Sequence, residues 1–581
     1  MMRLVATLGL GIAMCFSSCE TWLDLPEAAI LDDEDVFLTY SDFQGFEDQM
    51  YNFVTSYLNK SITASLNWGE DVICNRTFPP SGAVDIGNYW YFWNNGLQNI
   101  LWKTAAQGNS GLWQLSWRGI RVANICLEKL EEGFPRQATD AERDLLRGQA
   151  LFFRAFFHWE IIRFFGGMPY VDVALEPDDE LRLNRLTYQG TTERIVEDFD
   201  QAAALLPTQW NALDNYQRAS KGAALAFKAK ALLYAASPLM NNEVGNGYTF
   251  NEDLARQSAE AAYEVIKLAE EQGVYRLLDW DEYSDNFYKN DPGNELLGSD
   301  EIIFHAIVPQ SGASRMNTFH GRIFNNNRWG GNPVMEAPTA NYVERFEMAN
   351  GLPIDHPNSG YDPNDPWVDR DPRFYYNLLL DGTKWADAGS ENDNFVQLYL
   401  GGGDRGTGGS LSGYMIKKYW PRGVNRHDGF GNFRFDQPHM RLADVYLFYA
   451  EAVNEVWGPS TPPPFAPMTA VEAVNVVRNR AQMPDVAADY TGSKDDFRAR
   501  IWDERAIEFA FEGSRWFDIR RWHVAHLTEY KEMYGLEFDQ EKTFYRKVLL
   551  QTRVFDERHY WIPIDRSQAQ LYEGFNQNPG W

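Results

Sequence analysis

One segment, residues 140–165, constrains the fold of this chain more than any other. Its apolar side chains recur at spacings of three and four residues, which is the period of one helix face: Leu146, Ala150, Phe153, Phe157, Ile161 and Phe164. Leu145, Phe152 and Phe156 widen this face, so we expect two neighbouring elements to cover it. The segment therefore predicts a long helix in the middle of a helical core.

Local signals mark the ends of this helix. Thr139 and Glu142 have the spacing of a capping box, in which each side chain accepts a hydrogen bond from a backbone N–H of the first turn. Gly166 and Gly167, followed by Pro169, end the helix. Similar patterns predict further helices at 41–58, 191–206, 220–237, 254–272, 438–457, 469–481 and 493–512.

Two stretches lack this helical pattern. Residues 61–112 are rich in Asn, Gly, Trp and Pro, and residues 273–437 combine frequent Gly, Asn, Asp and Pro with short apolar runs. We interpret the second stretch as loops with a few short strands. Helices in pairs joined by short turns are typical of stacked hairpins like tetratricopeptide repeats. No clean 34-residue repeat is present, so the hairpins are degenerate, or the chain is an irregular α bundle.

Charge and aromatic content narrow the range of functions. The 581 residues carry a formal net charge of −29, and the pI is near 4.7. An acidic surface repels phosphate groups, which excludes nucleic acid as a partner and favours neutral ligands. Aromatic residues make up 15% of the chain, including 20 Trp, and exposed aromatic rings are flat stacking surfaces.

The first residues predict export. Arg3 precedes an apolar stretch at 4–16 that is too short to span a bilayer, and the small residues Ser17 and Ser18 precede Cys19. This pattern resembles a bacterial lipobox, in which the signal peptide is removed before an acylated cysteine. The alternative is an ordinary signal peptide with an incidental cysteine. No later stretch has 18 consecutive apolar residues.

Motifs for chemistry are weak or absent. The sequence has no GxSxG elbow, no Walker A loop and no HExxH. Gly401, Gly403 and Gly406 fit GxGxxG, but no helix follows them, and we interpret them as a flexible loop. No cofactor is expected, and the Asp-rich runs at 32–35 and 362–371 are only weak candidates for structural calcium.

Two further residue sets have structural interpretations. Arg505, Glu508, Glu512 and Arg515 lie three to four residues apart in one predicted helix, which favours a structural ion-pair network. Cys74 and Cys126 remain in the exported chain, but the sequence does not decide whether they form a disulfide.

Several blocks of the chain resemble the SusD/RagB family, the surface lipoproteins of Bacteroidetes nutrient-uptake systems. The most informative is LRGQALFFRAFFHWEIIRFFGGMPYV at 146–171. Other blocks occur in the family's order: CETWLDLPE (19–27), PTANYVERFEMANG (338–351), RDPRFYYNLLLDG (370–382), MRLADVYLFYAEAVNE (440–455), AVNVVRNRAQMP (473–484), WDERAIEFAFEGSRWFDIRRW (502–522) and YWIPIDRSQAQLYEGFNQNPGW (560–581).

The resemblance implies a mostly α fold with four degenerate tetratricopeptide-like hairpins and a loop-rich ligand-binding region. It also implies a non-catalytic protein that captures oligosaccharides for a SusC-like TonB-dependent barrel at the outer membrane. The predicted division is a lipoprotein signal peptide (1–18), a tether and first helix (19–60), an N-terminal part with helical hairpins (61–272), a loop-rich ligand-binding region (273–437), and C-terminal helices and tail (438–581).

In this family, ligand-binding groups come from the loop before the first hairpin and from the middle loops. In this chain those regions offer the candidates Asp71, Arg76, Trp90, Trp93, Asn94, Trp102, Asn326, Arg328 and Trp329. Trp90, Trp93 and Trp329 lie in polar, Gly- and Asn-rich surroundings, so exposed indole rings are expected there. Each of the three can instead be a core residue that anchors a loop. Trp113 and Trp117 lie at helical spacing and are expected in the core.

The sequence thus leads to three hypotheses for function. The first is a lipid-anchored surface protein that binds oligosaccharide or polysaccharide. The second is a peptide-binding member of the same family, for which the acidic charge favours basic peptides. The third is a surface glycoside hydrolase, because carboxylates are abundant and a hydrolase needs two of them across a sugar cleft.

Overall fold

The computed structural model describes residues 36–57, 65–74, 80–93, 101–102, 108, 110–176, 182–210, 218–289, 298–306, 328–330, 334–406, 408–429, 434–570 and 572–581. Its α-helices are α1 (Tyr40–Glu47), α2 (Gln49–Phe53), α3 (Pro80–Asp85), α4 (Leu112–Glu131), α5 (Asp140–Phe165), α6 (Tyr188–Leu205), α7 (Lys221–Ala236), α8 (Pro238–Glu243), α9 (Glu252–Glu270), α10 (Ala340–Val343), α11 (Pro372–Asn377), α12 (Glu391–Asn394), α13 (Leu442–Trp457), α14 (Ala470–Arg480), α15 (Lys494–Glu508), α16 (Arg515–Arg521), α17 (Thr528–Lys531) and α18 (Arg566–Ala569).

The strands are short and form two-stranded antiparallel pairs. They are β1 (Val72–Cys74), β2 (Tyr288–Lys289), β3 (Ile302–His305), β4 (Glu336–Pro338), β5 (Leu378–Leu379), β6 (Met415–Ile416), β7 (Arg434–Phe435), β8 (Pro438–Arg441), β9 (Glu532–Phe538) and β10 (Tyr545–Thr552). The pairs are β1 with β4, β2 with β7, β3 with β8, β5 with β6, and β9 with β10. The expected mostly helical fold with a few short strands is therefore confirmed.

The long helices stack in series. α4 packs on α5, α5 on α6, α6 on α7, α7 on α9 and α9 on α13, while α14 and α15 both pack on α13. Consecutive helices thus form hairpins, as expected for degenerate tetratricopeptide-like units. The pair formed by α9 and α13 is unusual because residues 271–441 lie between its two helices.

The predicted helix boundaries agree best where the end signals are local. α5 begins after Thr139 with the capping box to Glu142 in place, and α14 begins after Thr469 in the same way. Other boundaries were wrong. The helix predicted at 41–58 is two helices, α1 and α2, and the second ends at Phe53. Residues 438–441 are strand β8, and α13 begins only at Leu442. α15 ends at Glu508, four residues early, and Phe511 then adopts a φ of +61°.

A close approach of α4 and α5 depends on Gly119. A Cβ atom on Gly119 would lie 2.2 Å from Cε2 of Phe157, whereas a Cβ on Gly45 in α1 would meet no atom within 4 Å. Gly119→Ala should lower the free energy of unfolding by about 1–3 kcal/mol, because overpacking outweighs the gain in helix propensity. Gly45→Ala should raise it by about 0.5–1 kcal/mol. Urea unfolding of both variants tests this, and equal shifts would contradict it.

Charged side chains are buried between the hairpins and the loop-rich region. Glu508, at the end of α15, accepts hydrogen bonds from Arg441 (3.0 Å), Arg373 (3.2 Å) and Arg480. Arg441 also pairs with Glu301 at 2.5 Å. The expected structural ion pairs are present, but the four residues do not share one helix, because α15 ends at Glu508 and Arg515 lies in α16. The pairs join different segments: Arg505 with Asp518, Glu512 with Lys418 and Arg515 with Glu70.

Two further observations concern the predicted cysteines and membrane spans. Cys74 and Cys126 are both buried and are not joined by a disulfide. No helix in the described ranges is long and apolar enough to cross a membrane.

Candidate functional site

The 3-10 helix Tyr89–Trp93 divides the first predicted tryptophans between core and surface. Trp93 is only 8% exposed, and its ring packs 5.6 Å from the rings of Trp113 and Phe165. Its Nε1–H donates to the carbonyl oxygen of Pro563 at 2.6 Å. The expectation of an exposed ring at Trp93 is therefore wrong, because long-range contacts cover the ring.

Trp90 and Trp102 remain half-buried at the surface beside this core. Trp102 lies 5.5 Å from Trp93. The guanidinium of Arg566, at the start of α18, lies 4.7 Å above the ring of Trp90. The edge of Trp90 meets Trp581 at a ring distance of 5.8 Å. Two of the predicted indoles are thus accessible in part, and the C-terminal segment, which sequence reasoning did not include in the site, lies against one of them.

A groove of about 420 Å³ is lined in part by Gln568 of α18. Its lining is mainly apolar and includes Trp117, Tyr572 and Phe575, with Arg121 and Gln568 as the polar groups. Trp117 is half-buried, so the expectation that it belongs to the core is wrong, whereas Trp113 is 6% exposed and does belong there. Helical spacing alone could not distinguish the buried Trp113 from the half-buried Trp117. Trp117 lines the groove together with Gln568 and Tyr572, which are distant from it in the sequence.

We call five half-buried rings the aromatic surface: Trp90, Trp102, Trp117, Tyr572 and Trp581. Arg566 of α18 lies over Trp90, and Gln568 of α18 lines the groove with Trp117 and Tyr572. Helices α4 and α5 pack under this surface, where the ring centroids of Trp113 and Phe165 are 5.0 Å apart. The hydroxyl of Tyr572 donates to the carbonyl oxygen of Leu183 at 2.7 Å, which fixes that ring. A surface of this kind offers flat apolar faces with polar groups at their edges.

The predicted residues of the middle region lie in a second cluster. Arg328 pairs with Asp404 at 2.5 Å and lies 5.1 Å from the ring of Trp329. Trp329 is fully buried, with His427 edge-on at 5.5 Å. The expectation of an exposed ring at Trp329 is wrong, because the segment around His427 covers it. Arg328 keeps 18% of its side chain exposed.

Asp71 is buried completely, so the expectation that it reaches a ligand at the surface is also wrong in this conformation. Its backbone oxygen accepts a hydrogen bond from Thr339 at 3.1 Å, next to the pairing of β1 with β4. Neither carboxylate oxygen has a hydrogen-bond partner in the described part of the chain. Burial, together with the negative charge of Glu70, raises the pKa of Asp71 to about 7.

The state of Asp71 should make stability depend on pH. A folded pKa above the unfolded value of 3.8 means that stability is lost as the pH rises from about 4 through 7. Asp71→Asn keeps the shape of the side chain and removes its charge. At pH 8 the free energy of unfolding of the variant should therefore exceed that of the parent by at least about 1 kcal/mol. The two should converge at pH 4. Urea unfolding at both pH values measures this.

Asp85→Asn is the matched control for this prediction. Asp85 is equally buried but pairs with Arg553 at 2.7 Å. Its replacement should destabilise the protein at pH 8, because Arg553 is left buried without its carboxylate. An Asp71→Asn variant that is less stable than the parent at pH 8 would contradict the assignment.

The remaining predicted positions lie outside the described residues: Cys19, Arg76, Asn94, Asn326 and the Asp-rich run 32–35. In the second Asp-rich run, Asp371 pairs with Arg373 at 2.8 Å. Within the described ranges, no group of three or more His, Cys, Asp and Glu side chains has an arrangement suited to a metal ion.

Comparison with known structures defines the class of fold. A SusD-like protein of Bacteroides fragilis superposes with a TM-score of 0.70 at 22% identity, covering 95% of this chain and 98% of that one. A SusD-like carbohydrate-binding protein of the same species gives 0.65 at 20% identity, covering 91% and 98%. Surface glycan-binding protein A of Bacteroides fluxus gives 0.57 at 18% identity, covering 94% and 100%. The chain has a SusD-like fold.

Sequence comparison gives the family. Residues 300–581 match the SusD family, and residues 34–233 match a family described as starch-binding and associating with the outer membrane. A SusD-like protein of Formosa agariphila is 26% identical over 539 residues, or 88% of each chain. The two matches together span most of the chain, so the chain belongs to the SusD/RagB family, a non-enzymatic family that includes glycan-binding proteins.

Proposed function

We propose that this protein is a surface lipoprotein that binds a glycan and delivers oligosaccharides to a SusC-like TonB-dependent barrel. The observation that carries the proposal is the aromatic surface, which presents partly exposed rings beside an open groove of about 420 Å³. Membership of a carbohydrate-binding family supports the same ligand class. The lipobox-like residues before Cys19 support anchoring by acyl chains, for which each buried CH₂ contributes about 0.8 kcal/mol.

The chemistry of sugars fits such a surface. A pyranose ring has a flat C–H face that stacks on an aromatic ring, and its hydroxyl groups lie around the edge. One stacking contact is worth about 0.5–1.5 kcal/mol beyond area burial, and one hydrogen bond adds a net 0.5–1.5 kcal/mol. Single-site affinity is therefore modest, and several sites on one polymer strengthen the attachment by avidity.

The groove supports binding in preference to hydrolysis. A glycoside hydrolase needs two carboxylates on opposite sides of the scissile bond. The described residues that line the groove include no Asp or Glu. Buried carboxylates elsewhere, such as Glu508 and Glu451, are held in ion pairs with arginines.

Native gels that contain soluble glycans test the proposal. We expect the protein to migrate more slowly in a gel with at least one glycan than in a gel without glycan, and to release no reducing ends from it. Release of reducing ends would identify a hydrolase. Retention by immobilised peptides with no retardation by any glycan would identify the peptide-binding alternative.

Two further experiments test the location and the transporter. A Cys19→Ser variant should move from the membrane fraction to the soluble fraction, and unchanged fractionation would reject the lipid anchor. A tagged chain expressed in its own cells should copurify with a TonB-dependent barrel, and its absence from the purified material would reject that partnership.

A further inference from the structure

Two rings of the aromatic surface carry an arginine over one face. The guanidinium of Arg566 lies 4.7 Å above the ring of Trp90, and that of Arg558 lies 4.8 Å above the ring of Trp581. The centroids of the two rings are 5.8 Å apart. The distance between the two guanidinium groups therefore cannot exceed the sum of this distance and the two guanidinium–ring distances. Two cationic groups therefore lie close together on the surface of a chain whose net charge is −29.

Both arginines keep their hydrogen-bonding edges available. Arg566 is exposed and has no ion pair within the described part of the chain. Arg558 is 43% exposed, and among the described residues it pairs only with Asp556, at 4.0 Å. Asp565, beside Arg566, is engaged as the cap of α18 and accepts from the backbone N–H of Ser567 at 2.9 Å. Stacking on an indole orients a guanidinium and leaves its planar fork of N–H groups free.

We propose that the aromatic surface binds an acidic glycan, one that bears carboxylate or sulfate groups, through Arg558 and Arg566. This inference rests on the proposed glycan-binding function and names the substrate class. It departs from the neutral ligand that the overall charge favours. A neutral sugar has to displace Arg566 before it can stack on the covered face of Trp90, whereas a carboxylate or sulfate binds the guanidinium where it already lies.

A third arginine extends the same pattern along the groove. Arg121 borders the groove next to Trp117, and its side chain is 47% exposed. It pairs with Glu176 at 3.3 Å, a pair that solvent screens strongly because Glu176 is 65% exposed. A chain with repeated acidic groups can therefore meet a guanidinium in the groove as well as over Trp90 and Trp581.

Matched glycan pairs in native gels test the proposal: polygalacturonate against its methyl ester, and dextran sulfate against dextran. We expect the acidic member of at least one pair to slow the protein, with retention falling as NaCl is raised. A double variant that carries Arg558→Gln and Arg566→Gln should weaken that retention at least fivefold. Arg256→Gln, which changes an exposed arginine paired with Asp253 on α9, should leave it unchanged. The thermal midpoint of each variant shows that the fold is kept.

The outcomes separate this proposal from the one it rests on. Retention by neutral glycans alone would overturn the acidic class and leave the glycan-binding function intact. Acidic retention that the double variant keeps in full would overturn the assignment to Arg558 and Arg566. Retention by acidic peptides and by no glycan, or no retention at all, would overturn both proposals.

Discussion

Glu508→Gln is expected to lower the free energy of unfolding by about 3–5 kcal/mol at pH 7, the cost of breaking a buried ion pair on one side. Arg373, Arg441 and Arg480 all direct their guanidinium groups at this one carboxylate, and both partners of each pair are buried. Glutamine keeps the shape of the side chain and removes its negative charge. The three buried arginines then lose the carboxylate charge that offsets part of their own. Urea unfolding at pH 7 measures the loss.

The pH dependence of this loss provides a second check. Although burial alone would raise it, the three arginines hold the pKa of Glu508 well below its usual range. The stabilisation is therefore present above the unfolded pKa near 4.5 and is lost as the pH falls below it. The parent and the variant should converge in acid. Glu264→Gln, in an exposed pair with Lys267, should cost less than about 0.5 kcal/mol. Similar losses in the two variants would contradict the network.

Trp329→Ala should destabilise the protein by about 3–5 kcal/mol and leave glycan retention unchanged below its unfolding temperature. The ring is fully buried beside Arg328 and His427, so its removal leaves a large cavity. Trp90→Ala removes a half-buried ring and should cost much less stability. Thermal unfolding and native glycan gels, run on both variants, measure the two properties separately. A stable Trp329→Ala protein that no longer binds glycan would show that the ring is a ligand contact.

The sequence predicted helices well because their signals are local. The apolar period of α5 and the capping box at Thr139 both lie within one segment, so no distant residue is needed to recognise them. The pairing of α9 with α13 could not be predicted in this way. Its two helices are separated by residues 271–441, and only contacts in space join them.

The candidate site was less predictable than the fold for a related reason. Trp90 and Trp93 share one short helix and similar polar surroundings, yet Phe165 and Pro563 cover Trp93 whereas Trp90 stays at the surface. Local composition does not record which distant segment covers a ring. Likewise Arg505 and Glu508 follow a helical spacing, but each pairs with residues outside their own helix.

The central claim is that the aromatic surface binds glycan, and a Trp90→Ala, Trp117→Ala double variant tests it most directly. The measurement is its dissociation constant in native gels for the glycan that retains the parent most strongly. Since two stacking contacts are worth about 1–3 kcal/mol together, we predict binding about tenfold weaker or more with a thermal midpoint close to that of the parent. Unchanged affinity in the folded double variant would contradict the claim.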